Sequence, residues 1–165
     1  MPEYMRRLWR SGRCPYLVPV AFYHDRAGVS RQIQPEGLIC VSRYADVCPD
    51  GIEDSFHLML EMLASAADSF AALQSWLADP AYISLRPEDL YYDRGKGRTL
   101  LLFCETPDRS HFALRFADLC DAIGGSGPLV AQRFRDICAC TVLEERGTAS
   151  FLRRWSRVIR EGPSA

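Results

Sequence analysis

Between residues 53 and 79 the chain carries one continuous amphipathic pattern, and any fold it adopts has to bury that face. Phe56, Met59, Leu60, Leu63, Ala67, Phe70, Leu73 and Leu77 recur at three- and four-residue spacing. That period predicts a single long helix with an apolar stripe. Asp50 or Asp54 can cap its start. Its end is expected at Ala78-Asp79-Pro80, because a proline disfavours helical geometry in the residue before it.

The segments on either side read differently. Residues 1–14 are expected to be a loosely docked arm with Leu8 and Trp9 as anchors. Residues 16–49 are strand-rich. Tyr16, Leu17, Val18, Val20, Phe22 and Tyr23 form one apolar run, and the turn signal around Gly28 leads to Val29 and Ile33. Pro19 inside the first run marks an edge position. Leu38 to Val41 is a third short run, and Cys48-Pro49-Asp50-Gly51 is a breaker cluster.

After the long helix, Tyr82 to Cys104 reads as a short extended segment, a proline turn and a β-hairpin at about 90–104. Leu90 and Tyr92 share one face of its first strand, with Tyr91 on the other. A second helix follows, with Asp108 or Ser110 as cap and Phe112, Phe116, Leu119 and Ile123 on one face. Gly124-Gly125-Ser126-Gly127 ends it. Pro128 opens a third helix, and Thr148 caps a fourth. Strands first, then a long helix, a hairpin and further helices is an α+β order, not an alternating one. The expected architecture is a small N-terminal antiparallel sheet, a long central helix, a β-hairpin and C-terminal helices, in one domain covering 1–165.

Composition narrows the function. The 165 residues are 48% hydrophobic and 25% charged, with a net charge of −1, so no global field draws the chain to nucleic acid. No apolar run reaches the roughly 18–20 residues of a membrane span. No apolar segment follows the basic N-terminal stretch as a signal peptide requires, so a cytoplasmic location is expected. The seven cysteines, an odd number at scattered positions, do not read as a disulfide framework. Paired zinc knuckles are missing as well. Cys138 and Cys140 lie roughly 200° apart around a helix, so they do not share a metal easily. No metal and no cofactor are expected.

Ser84-Leu85-Arg86-Pro87-Glu88-Asp89-Leu90-Tyr91-Tyr92-Asp93 is explained locally as a turn leading into a strand. It also resembles the catalytic loop of kinases, in which an Asp-Leu-Lys-Pro-Glu-Asn-Ile-Leu-Leu-Asp run follows a long helix. Leu85, Pro87, Glu88, Leu90 and Asp93 fit that pattern, and Arg86 replaces Lys. The functional positions depart from it. Ser84 stands where the family has its catalytic Asp, and Asp89 stands where an Asn holds magnesium. Glu105 is the one acid near the place of the second metal ligand. There is no glycine-rich phosphate loop and no Val-Ala-Ile-Lys strand. The resemblance therefore implies a pseudokinase-like module with no catalytic residues, in which Asp89, Asp93 and Glu105 are the candidate cation or nucleotide ligands.

A second resemblance covers most of the chain. Tyr16-Leu17-Val18, Gly37-Leu38-Ile39, Trp76-Leu77-Ala78-Asp79-Pro80 and Leu85 to Asp93 are similar to the pattern of an uncharacterised bacterial domain. That domain is found N-terminal to forkhead-associated domains, mainly in Firmicutes. It implies a scaffold or signalling module and brings no activity with it.

The remaining features are weaker. His24, His57 and His111 fall in three separate elements with no nucleophile motif around them. Arg94, Lys96 and Arg98 mark a solvated turn. Arg153, Arg154, Arg157 and Arg160 line the polar side of the last amphipathic helix, opposite Phe151, Leu152, Trp155, Val158 and Ile159. Such a helix docks by its apolar face, meets an acidic partner, or rests on an anionic membrane surface. The expected function is a non-catalytic protein-interaction or scaffold domain of a bacterial cytoplasmic assembly, with an unidentified protein partner. The alternative is a magnesium-nucleotide-binding, pseudokinase-like regulator. The sequence does not select an oligomeric state.

Overall fold

A computed structural model describes residues 1–26, 28–34, 36–43, 52–110 and 112–124. The fold is α+β. Helix α1 spans Glu3–Arg10, strands β1 and β2 span Val20–Asp25 and Gly28–Ile33, and β3 spans Leu38–Cys40. The long helix α2 (Ile52–Ser75) is followed by β4 (Leu90–Asp93), β5 (Arg98–Leu101) and α3 (Phe112–Gly124). The helices expected from 128 onward lie outside the described residues, with Cys138, Cys140 and the arginines at 153, 154, 157 and 160. So do His111 and the breaker cluster at 48–51.

Helix α2 lies along β5 on one side, and its Phe70 meets Phe116 of α3 on another, edge to face with centroids 6.3 Å apart. Met59, Met62, Leu63, Phe70 and Leu73 are buried as the periodicity requires. Ala64, Ala66 and Ala67 are buried too, and their small side chains let neighbours approach the helix on several sides. The helix also carries a polar fastening. Thr99 of β5 is fully buried, and its hydroxyl donates to the Met62 carbonyl at 2.7 Å. Its backbone N–H donates to Ser65 Oγ at 2.8 Å. A Thr99 amide in a central position would meet a strand, but here it faces the outer edge of β5, where no strand among the described residues lies beside it.

Two antiparallel sheets flank this core. β1 and β2 form a two-stranded ribbon with Val20 opposite Ile33. The other sheet has the order β3-β4-β5. The third apolar run, Leu38–Cys40, thus joins the central hairpin rather than the N-terminal one, with Ile39 opposite Tyr92. This corrects the expected sheet. In β4, Leu90 and Tyr92 are buried and Tyr91 is half-buried, as alternation demands. Burial, and next the Glu61 carboxylate, push the Tyr92 phenol up to about 12.

Three further expectations are corrected. The N-terminal arm is a helix. Met5 and Trp9 are buried, and the Trp9 indole N–H donates to the Val18 carbonyl at 3.1 Å. The Trp9 ring also meets Phe22 and Phe103 edge to face. The first strand is not continuous from Tyr16. Leu17 forms a parallel bridge with Leu101, and β1 begins only after Pro19, which has no N–H to offer a ladder.

Helix α2 stops at Ser75, short of the proline. The Ala78 N–H reaches back to the Leu73 carbonyl, the Leu77 N–H reaches Gln74, and Leu77 has φ +57°. This is a Schellman end, with buried Ala78 packed after buried Leu73. The left-handed position is normally glycine, yet here it is a leucine that is 79% exposed.

Two outcomes follow in urea denaturation. Ser65→Ala leaves the buried Thr99 N–H without an acceptor and lowers stability by about 1–3 kcal/mol. Leu77→Gly relieves the left-handed strain and raises stability by about 1 kcal/mol, since the exposed side chain contributes little burial.

Candidate functional site

Beyond Leu101 the chain continues alongside residues 82–84. Ser84 N–H donates to the Leu102 carbonyl and Cys104 N–H to the Tyr82 carbonyl, both at 2.8 Å, around an Ile83–Phe103 bridge. Two short 3-10 turns, Pro80–Tyr82 and Pro87–Asp89, flank this ladder, each started by a proline. The first is capped by the Asp79 carboxylate on Ala81 N–H at 3.0 Å. Together with α3 these segments enclose an open cleft of about 600 Å³. Ser84, Arg86 and Asp89 line one side, Cys104, Glu105 and Asp108 the floor, and Arg115, Asp118 and Ala122 the helical wall.

Arg115 holds the cleft together. It is 6% exposed and donates from Nη1 to the carbonyls of Pro80 (3.2 Å) and Asp108 (3.4 Å). Nη2 donates to the Ile83 carbonyl, and Nε meets Asp108 Oδ2 at 3.1 Å. One guanidinium thereby ties α3 both to the loop just before it and to residues 80–83, far back in the chain. Burial pulls its pKa down, while Asp108 and Cys104 oppose that shift. A guanidinium stays charged regardless.

Asp89 is the centre of the opposite wall. Its Oδ2 accepts from Ser84 Oγ at 2.6 Å and from Arg86 Nε and Nη2 at 3.1 and 3.0 Å. Among the described residues no hydrogen bond reaches Oδ1. Glu105, exposed in the same lining, pairs with Arg6 at 3.1 Å. The Cys104 thiol is half-buried and its pKa is raised, chiefly by burial, so it is not a ready nucleophile.

Asp93 falls elsewhere. It lies at the far end of β4, about 13 Å from Asp89 at strand rise, and holds Lys96 through Nζ at 3.0 Å and the backbone N–H at 3.1 Å. The fold therefore brings Asp89 and Glu105 to one cleft and leaves Asp93 out of it. No group of three or more His, Cys, Asp and Glu side chains is arranged to hold a metal ion among the described residues. No described helix is long and apolar enough to cross a membrane.

Sequence reasoning missed Arg115, Asp108 and Asp118 as cleft residues. One signal was available. Arg115, Asp118 and Ala122 each precede by one residue the apolar stripe of Phe116, Leu119 and Ile123, which places a cation at the edge of a buried face. Leu85, Pro87 and Leu90, the positions that carry the kinase-like pattern, are by contrast packing and turn residues, with Leu85 and Leu90 buried. Comparison with protein families, curated proteins and solved structures finds no match to this chain.

The electrostatics predict an acid sensitivity. Asp108 titrates below its ordinary 3.8, first because of the Ser110 backbone N–H, and Asp93 does so first because of the Lys96 side chain. Folded carboxyls that titrate lower add stability above the unfolded value and lose it as pH falls through the folded one. The urea midpoint should therefore drop between about pH 5 and pH 2, and Asp108→Asn should flatten part of that drop. At neutral pH, Arg115→Met removes the donor to the Ile83 and Asp108 carbonyls, while Pro80 keeps the Ile83 N–H, and should cost about 3 kcal/mol in the same measurement.

Proposed function

We propose that this chain is a non-catalytic protein-interaction or scaffold domain of a bacterial cytoplasmic assembly, in which a kinase-like loop has become a structural clamp. The observation that supports this reading is the Ser84–Asp89–Arg86 cluster. Where the resemblance places a general base, a hydroxyl donates to a neighbouring acid. Where it places a metal-binding amide, a carboxylate is neutralised by the chain's own guanidinium. Phosphoryl transfer depends on groups positioned toward substrate and metal. Here those groups are turned toward one another.

One observation favours the second reading, a magnesium-nucleotide-binding regulator. Among the described residues Asp89 Oδ1 accepts no hydrogen bond, and Asp89 lines a cleft of about 600 Å³, within the usual size range of ligand sites. Of the other two candidate ligands, Glu105 shares that cleft and Asp93 does not.

Thermal denaturation with ATP, ADP and GTP, each with and without magnesium, separates the two. A ligand at about 100 times its dissociation constant adds about 2.7 kcal/mol, a shift of several degrees for a domain of this size. The scaffold reading expects no shift, capture of a protein partner without nucleotide, and weaker capture after Arg153→Glu with Arg157→Glu. A magnesium-dependent shift that vanishes in Asp89→Ala would replace it with the regulator.

A further inference from the structure

A second hollow, of about 140 Å³, opens where the loop after α1 meets the β4–β5 turn. Its walls include Leu8, Trp9, Cys14, Leu17, Val18 and Leu100, and Lys96 stands among them. Two polar groups of these walls are already accounted for. The Trp9 N–H is taken by the Val18 carbonyl, and burial pushes the Cys14 thiol up so that it stays neutral. An apolar cavity of about 150 Å³ admits a benzene-sized group, so this one fits a single leucine or phenylalanine side chain.

Lys96 is the one cation in these walls, and three more belong to the same two segments. Arg94 and Lys96 are exposed in the β4–β5 turn, and Arg13 is exposed beside the wall residue Cys14. Arg98 reaches across to the Pro15 carbonyl at 3.4 Å and stacks over the Tyr16 ring at 4.8 Å. Asp93 is the one acid in the turn and offsets one of these charges through Lys96. The fold thus brings four cations of two distant segments near one largely apolar hollow, against two acids, Asp93 and the Glu61 carboxylate beside Gly97. An apolar anchor ringed by charge is the usual plan of a specific protein contact.

We propose that this hollow takes one leucine or phenylalanine side chain from an acidic peptide segment of a partner protein. The inference rests on the interaction reading and gives it a surface separate from the cleft. The test uses a synthetic peptide with a single central leucine flanked by Asp and Glu, titrated against the full chain by calorimetry at low and high salt.

Binding should weaken with salt. Leucine→alanine in the peptide should lower affinity at least tenfold, and Arg94→Gln with Lys96→Gln should lower it and flatten the salt dependence. Both substitutions lie in an exposed turn, so folding is not at stake. Bound peptide should also slow modification of Cys14 by methyl methanethiosulfonate, followed by mass spectrometry of the Cys14 fragment. Equal affinity for the leucine and alanine peptides, unprotected Cys14, or no binding at millimolar peptide would overturn the proposal. A short aliphatic carboxylate that binds as tightly as the peptide would also overturn it, in favour of a small-molecule site. If nucleotide-free partner capture persists while the peptide is silent, this surface falls and the interaction reading stands.

Discussion

A backbone amide at the open edge of a sheet has to find an acceptor, and in this protein the rest of the structure follows from where the Thr99 amide finds one. Among the described residues no strand flanks β5 at that point; Ser65 of α2 supplies the oxygen, and Thr99 returns a hydrogen bond to Met62. Helix and strand are thereby fixed in both translation and rotation, which apolar contact alone does not do. Two residues on, the same edge is served by the backbone around Leu17. Trp9 then closes the core by packing against Phe22 of β1 and Phe103 beyond β5. On the opposite edge of the same run, beyond β4, segments 82–84 and 102–104 pair with each other, and their Ser84 and Cys104 line the cleft.

What was legible in the sequence tracks how local the cause was. The long period of α2 and the alternation of Leu90, Tyr91 and Tyr92 are set by neighbours a few residues away, and both appear in the structure. Helix α1 was not read because eight residues are marginal as a helix without tertiary support. Its buried pair, Met5 and Trp9, is a single i, i+4 contact among arginines. The partner of β3 was also out of reach, since Leu38–Cys40 is equally compatible with the ribbon before it and the hairpin far beyond it. At the end of α2 a proline offered an obvious stop, but the carbonyls of Leu73 and Gln74 were satisfied first, by a left-handed leucine that no propensity would choose.

The candidate site shows the same division. Residues fitting the kinase-like loop pattern are largely those that make the turn and fill the core beneath it, so the pattern describes a shape. Asp89 and Glu105 do share a cleft, but each faces a cation of the chain itself. Arg115, which organises the cleft, sits in a helix whose sequence looks like an ordinary apolar stripe. Its role depends largely on the Pro80 and Ile83 carbonyls, in a segment that only the fold brings near. Those acceptors carry no side-chain signature, so no motif could have announced them.

The cleft has no local precursor. Its walls come from residues near 84–89, 104–108 and 115–122, and the bond network that joins them passes through one buried guanidinium. Contacts between such separated segments form only after the intervening loops have closed. A partly folded chain therefore presents no half-built version of the cleft. Whatever occupies it meets either the whole site or none of it, and its occupancy becomes a measure of how much of the population is fully folded.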